Sequence, residues 1–145
     1  MLGLKTQLDA LYERATQTEI AQWALEVSRK AIVRYAPSFA THQTVLDGYG
    51  LKIRRQQGTL LNLNDLRQAR FATHRLAKSQ DGELTCTALR VVGQAVASAH
   101  MKGHGTVASD YAIKCCLACP NDVHEVVRER IWEINALSRI CDETN

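Results

Sequence analysis

The sequence has little of what interrupts a helix. Its 145 residues include two prolines, Pro37 and Pro120, and each stands where a helical hydrophobic pattern ends. No stretch sustains the alternation of apolar and polar residues that a half-buried strand needs. No apolar run approaches the length of a membrane-spanning helix, and the N-terminus lacks the apolar core of a secretory signal. These absences argue against a β-protein and a membrane protein, and we expect a soluble, cytoplasmic chain.

The number and the placement of the cysteines argue against a disulfide framework. There are five of them, an odd number, embedded in apolar helical segments late in the chain. This arrangement predicts free thiols in a reducing compartment. Cys116 and Cys119 match the C-x-x-C spacing of zinc and redox sites, but no second pair accompanies them. We therefore interpret them as small buried hydrophobic residues, with no metal and no cofactor.

Composition and charge are those of an ordinary globular protein. Hydrophobic residues make up 46% of the chain and charged residues 23%, which suits one domain spanning 1–145. The net charge of +3 is too small to imply nucleic acid by itself, because such binders concentrate more positive charge on one face.

Apolar residues recur at three- and four-residue steps along the chain, which predicts an all-α fold of about seven antiparallel-packed helices. The expected helices cover 4–15, 18–36, 42–57, 62–79, 83–100, 106–119 and the segment from 121 to about 141. Small residues dominate the fifth and sixth helices, so we expect these two to form the tightly packed centre. Both tryptophans, Trp23 and Trp132, are predicted to lie in the core, and so are Leu63, Val107 and Ile131.

Three segments resemble one family. The stretch from Gly93 to Gly105 reads GQAVASAHMKGHG and is continued by ASDYAIK over 108–114. Two shorter stretches accompany it, QWAL over 22–25 and ERIWE over 129–133. Together they resemble the Imm-5-like family of bacterial immunity proteins over about residues 20 to 140. The resemblance implies a small helical protein made alongside a toxin, which it binds and neutralises without a cofactor and without turnover.

Two histidines flank the predicted corner between the fifth and sixth helices. His100 and His104 are four residues apart, the spacing at which two imidazoles on one helix face share a metal. Position 101 is Met, where the zinc-protease motif needs its general-base Glu. We interpret this segment first as a corner, in which Gly103 takes the left-handed conformation, His100 ends the fifth helix and His104 precedes the sixth. A binding pocket shared with Asp110 or Tyr111, and metal ligation, remain open alternatives.

Basic residues concentrate in two places. The first holds Lys52, Arg54 and Arg55. The second lies on the fourth predicted helix: Arg67, Arg70, His74, Arg75 and Lys78. A solvated helix face is one interpretation. The other is a docking surface for an acidic partner or for phosphates, with Arg67, Arg70 and Lys78 facing it. Apart from Phe71 no aromatic residue interleaves with these charges, which disfavours nucleic acid.

Acidic residues recur on the last helix. Glu125, Glu129 and Glu133 are spaced four apart, and we expect an exposed ridge whose Glu125 and Glu129 are candidates for contact with the partner. No obvious nucleophile accompanies these carboxylates, so we predict no catalytic residues and no enzymatic activity.

The first hypothesis is thus an immunity protein that binds a cognate protein toxin. The second is a helical metal- or small-molecule-binding protein, an enzyme or a sensor, with a pocket at His100 and His104. A third, a basic nucleic-acid binder, is disfavoured, and a homodimer is left open.

Overall fold

A computed structural model of the chain describes residues 3–99, 101–119 and 124–144. Within these ranges the chain forms seven α-helices and one short 3₁₀ turn, Pro37–Phe39, with no strand, so the all-α prediction is confirmed. The helices are α1 (Gly3–Arg14), α2 (Gln17–Tyr35), α3 (Gln43–Gln56), α4 (Leu63–Lys78), α5 (Glu83–Ala97), α6 (Gly103–Ala118) and α7 (Glu125–Glu143).

Helix α5 lies at the centre of the fold. It packs against α2, α3, α4 and α6, and its contact with α6 is the most extensive in the described chain. The reason is side-chain size, because Ala88, Ala95 and Ala97 on α5 and Ala108 and Ala112 on α6 are all buried and let the two backbones approach closely. The predicted central pair is therefore confirmed. Helix α7 closes the fold by packing on α1, α2 and α6.

Polar side chains cap the starts of three described helices: α2, α4, and α3, where His42 Nδ1 accepts from the N–H of Thr44. Thr16 accepts a hydrogen bond from the backbone N–H of Glu19, whose carboxylate accepts one from the N–H of Thr16 in return. This capping box starts α2 slightly earlier than the predicted residue 18. Asn62 caps α4, as the sequence predicts, by accepting from the N–H of Asn64.

The core contains Trp23, which is fully buried and whose indole N–H donates to the backbone oxygen of Glu133 over 3.0 Å. Its predicted place in the core is confirmed. Trp132 is only half-buried, and the ammonium of Lys30 lies 4.6 Å from its ring centroid. The prediction that Leu63, Val107 and Ile131 are buried is wrong, because all three are exposed.

The corner between α5 and α6 differs from the prediction. Helix α5 ends at Ala97, and Gly103 begins α6 without a left-handed conformation; within the described ranges the glycine with positive φ is Gly58. Side-chain donors instead satisfy backbone oxygens at the end of α5. The Ser98 hydroxyl donates to the oxygen of Ala95, and the Gln17 amide donates to the oxygen of Ser98. A left-handed residue is therefore not required there.

Two predicted features lie outside the described residues. One is His100, and the other is the start of the last helix at Asn121 or Asp122, behind Pro120. As described, α7 begins at Glu125.

Candidate functional site

His104 lies in the first turn of α6 rather than ahead of it. Its Nδ1 is 2.7 Å from the side-chain oxygen of Gln94 on α5. Because that amide oxygen is an acceptor, the pairing requires a proton on Nδ1 of His104. Gln94 is itself buried, so this contact ties the start of α6 to the last turn of α5.

The other pocket candidates contact different neighbours. Asp110 is exposed, and its carboxylate lies 4.0 Å from the guanidinium of Arg130. Tyr111 is half-buried, with the ammonium of Lys114 4.9 Å from its ring centroid. Since His100 lies outside the described residues, a pocket that joins these side chains to His100 and His104 stays a prediction.

A cluster of positive charges surrounds His74 on α4. The imidazole of His74 lies directly over Gly93 of α5, so close that a Cβ at position 93 would be 2.7 Å from the ring. Burial lowers the pKa of His74, and the nearby charges of Arg70, Arg90 and His104 lower it further. At neutral pH the uncharged His74 therefore lies near the guanidinium groups of Arg70 on α4 and Arg90 on α5.

Two nitrogens of this cluster are buried and have no hydrogen-bond acceptor among the described residues: Nε of Arg70 and Nδ1 of His74. The Arg70 guanidinium also lies 5.8 Å from the ring of Phe71, which is exposed. No ion pair with a carboxylate is formed by Arg70 or Arg90 in the ranges described.

Arg67 and Lys78 extend this cluster along α4, and both are exposed. With Arg70 and His74 they follow three- and four-residue steps, so all four side chains lie along one side of the helix. We call Arg67, Arg70 and Lys78 the cationic face of α4. Its role as a docking surface for an acidic partner stays a prediction.

The carboxylates of α7 do not form an exposed ridge, and that prediction is wrong. Glu125, Glu129 and Glu133 are all buried. The reason is that α2 supplies partners for two of them: Glu129 pairs with Lys30, and Glu125 with Arg34 and the hydroxyl of Tyr35. Glu125 and Glu129 also line a small surface cavity of about 240 Å³ beside Trp132, where their charges are already compensated.

Glu133 is the most buried of the three. The Ser109 hydroxyl donates to its Oε1 over 2.7 Å, and Arg130 donates to the same oxygen over 3.2 Å. Burial raises the pKa of Glu133 well above its ordinary value, and the neighbouring Glu129 raises it further. Oε2 of Glu133 has no donor within the described chain. A protonated Glu133 resolves this, because its O–H can donate to the carboxylate of Glu129.

Lys52 is a buried lysine that the sequence analysis placed in a basic surface cluster, and that placement is wrong. Its ammonium is fully buried and donates to the Ser98 hydroxyl over 3.0 Å. Burial lowers the pKa of Lys52 to about 7. A signal for this was present, since Lys52 follows Val45 and Tyr49 at the four- and three-residue steps of the buried stripe of α3.

The cysteines are free thiols, and Cys115 and Cys116 are buried, as predicted, whereas the prediction that Cys119 is buried is wrong because it is only half-buried at the end of α6. Burial raises the pKa of Cys115 to about 12, which makes it a poor nucleophile at neutral pH. Across residues 3–99, 101–119 and 124–144, no three His, Cys, Asp or Glu side chains are grouped to hold a metal. No helix in these ranges is long and apolar enough to cross a membrane.

Most of the chain matches a known protein family. The family model described as "Imm-5 like putative immunity protein" matches residues 10–140, nearly the whole chain. The chain belongs to this family. The Imm-5 like match includes α2 to α6, most of α7 and the last five residues of α1, so the central helix pair and the cationic face of α4 both lie within it. Comparisons with curated proteins and with solved structures gave no match.

Membership in the Imm-5 like family has two consequences. It makes this chain an immunity protein by family, which implies a partner protein and favours a non-enzymatic role.

Proposed function

We propose that this protein is a cytoplasmic immunity protein that binds a cognate protein toxin and neutralises it by occupying its surface, with no catalysis. The observation that carries the proposal is the family match over residues 10–140. The free thiols of the five cysteines are in keeping with a reducing compartment.

The cationic face of α4 is the surface we assign to the toxin. Positive charge there is not offset within the fold, since Arg70 forms no ion pair with a carboxylate in the described chain and its buried Nε has no acceptor there. Arg67 and Lys78 are exposed at either side and reach further into solvent. A carboxylate of the toxin would find a charge-assisted hydrogen bond at Arg70 and long-range attraction from Arg67 and Lys78.

Glu125 and Glu129 contribute less to such an interface. Because Arg34 and Lys30 already neutralise them, they present little net charge to a partner. We therefore propose that the toxin surface is acidic where it meets this protein, and that electrostatic attraction speeds its association.

Co-expression tests this function. The toxin encoded by the neighbouring gene is induced in a bacterial host with and without this protein, and growth is followed. We expect full rescue of growth and co-purification of the two proteins. Loss of growth despite normal levels of folded protein, with no co-purification, would overturn the proposal.

A further inference from the structure

An apolar groove of about 410 Å³ lies between α2 and α3. Its walls include Ile32 and Val33 of α2 and Leu46 and Tyr49 of α3. Val33 is 62% exposed and Leu46 is 44% exposed, although both are large aliphatic side chains. Two such residues facing one groove form a concave apolar surface that this chain leaves open to solvent.

Gly50 lies within this groove, and no packing in the described chain explains it. Glycine inside a helix costs about 1 kcal/mol relative to alanine. Two residues earlier Gly48 has a structural reason, because a Cβ there would lie 2.9 Å from Cγ2 of the buried Val96. A Cβ at Gly50 would meet no atom within 4 Å. The missing side chain thus leaves room at the surface, where another backbone or side chain can approach α3 closely.

Positive charges stand at two places along the groove. Arg29 lies one turn before Val33 on α2, with its guanidinium 5.4 Å from the ring centroid of Tyr49. Arg54 is exposed one turn after Gly50 on α3. Neither forms an ion pair in the part of the chain that the structure describes. The nearby acid, Asp47, accepts from Gln43 and lines a different cavity, between α3 and α4.

The two arginines beside the groove favour one kind of binding partner over another. A second copy of the chain docking through the same groove about a two-fold axis would add the same two arginines, Arg29 and Arg54, to the interface, where like charges repel. An amphipathic helix with an apolar stripe and acidic flanks matches both features, because its stripe fills the space over Gly50 and its carboxylates meet the two arginines.

We propose that the groove between α2 and α3 is a docking site for an acidic amphipathic helix of the partner protein. The proposal rests on the proposed function in one respect, that the partner is the toxin. The apolar floor supplies the anchoring contacts, Gly50 allows the close approach, and Arg29 and Arg54 fix the orientation of the bound helix.

The test uses a synthetic helical peptide of about 16 residues, with leucines at positions i, i+3, i+4 and i+7 and glutamates elsewhere. It is titrated into the ¹⁵N-labelled full-length protein and followed by NMR. We expect saturable shifts at the amides of Val33, Leu46 and Gly50. A peptide with lysines in place of the glutamates should bind about tenfold more weakly or worse, because it meets the arginines with like charge.

Gly50→Leu supplies the matched variant. Because the added side chain meets open space, the variant should fold as the wild type does. The leucine should fill the groove and lower the affinity for the glutamate peptide about tenfold or more. Ala118→Leu, on the exposed end of α6, is the control and should bind normally. Shifts spread over the whole surface, unchanged affinity in Gly50→Leu, or equal binding of both peptides would overturn the groove assignment.

The same variants separate this inference from the proposed function. If the wild type and Gly50→Leu both protect cells from the toxin with equal affinity for it, the toxin docks elsewhere and the groove assignment fails while the function stands. If the glutamate peptide binds in the groove but the neighbouring toxin is neither bound nor neutralised, the proposed function fails and the groove stands as a site for another acidic helix.

Discussion

The Nζ of Lys52 lies 3.0 Å from the hydroxyl oxygen of Ser98, and both side chains are fully buried. The hydroxyl of Ser98 donates in turn to the backbone oxygen of Ala95, so the lysine is held at the C-terminal end of α5. The negative end of the α5 dipole favours a positive charge there, yet burial dominates and lowers the pKa of Lys52 to about 7.

Replacing Lys52 by Met is therefore expected to stabilise the protein at neutral pH. Between pH 7 and 10.5 the unfolded lysine binds its proton more tightly than the folded one, so the free energy of unfolding of the wild type rises with pH through this window. Each pKa unit corresponds to about 1.4 kcal/mol, so the gain is a few kcal/mol at pH 7 and below. It should shrink towards pH 10.5.

Urea unfolding of the wild type and Lys52→Met at pH 6, 8 and 10 checks this prediction. A stability difference that stays constant across the three pH values would contradict the lowered pKa.

Glu133→Gln tests the protonated state of the most buried carboxyl. The raised pKa means that folded Glu133 keeps its proton above pH 4.5 while the unfolded chain loses it, so this group's stabilising contribution falls as pH rises through the folded pKa. Glutamine mimics the protonated acid, since its oxygen still accepts from Ser109 and its N–H can donate to Glu129.

We expect Glu133→Gln to be close to wild type near pH 5 and more stable than wild type at pH 8. Denaturant unfolding at both pH values measures the difference. An equal difference at the two pH values would show that Glu133 ionises like an exposed glutamate.

The two central glycines of α3 should respond in opposite directions to alanine. Gly48→Ala forces a Cβ to within 2.9 Å of buried Val96, and overpacking of this kind costs about 1–3 kcal/mol. Gly50→Ala meets no atom and gains helix propensity of about 1 kcal/mol. Thermal unfolding of both variants should show a lowered Tm for Gly48→Ala and a raised one for Gly50→Ala. Equal shifts in the same direction would contradict this packing.

Charge reversal on the cationic face of α4 should weaken toxin binding. Arg67→Glu with Lys78→Glu removes two exposed positive charges, and because both act at long range we expect a slower association rate rather than a faster dissociation. The matched control reverses Lys5 and Arg14 on α1, which changes the net charge by the same amount on a helix that packs against α7. Stopped-flow mixing with the toxin at low and high salt distinguishes them. Equal association rates for the two double variants would show that the cationic face does not contribute to the interface.

Helix periodicity was sufficient to predict much of the fold. The burial of Trp23 and the close packing of α5 on α6 followed from apolar and small residues at helical steps. The start of α4 followed from the local chemistry of Asn62. Such features depend on residues a few positions apart, so a single sequence contains the information for them.

The orientation of α7 could not be predicted in this way. The helical pattern predicts that Ile131 faces inwards and that the glutamates face outwards. In the fold Ile131 is exposed and the glutamates are buried, because Lys30 of α2 pairs with Glu129 and Ser109 of α6 donates to Glu133. These partners are about 99 and 24 residues away in sequence, and only the packing of three helices brings them together.

Surface features depend even more on tertiary packing. The groove beside Gly50 exists because α2 and α3 leave a gap there, and the cluster around His74 needs α4, α5 and α6 to meet. The sequence showed the basic residues of α4 but not which of them lose their acceptors on folding.

The most direct test of the central claim is the binding of the purified protein to an inactivated form of the toxin encoded by the neighbouring gene, measured by isothermal titration calorimetry. The account predicts one toxin per immunity protein, with an affinity that falls as salt rises because the cationic face of α4 contributes to it. The absence of any binding heat or co-elution, at concentrations up to about 100 μM, would contradict the claim that this chain neutralises that toxin by binding it.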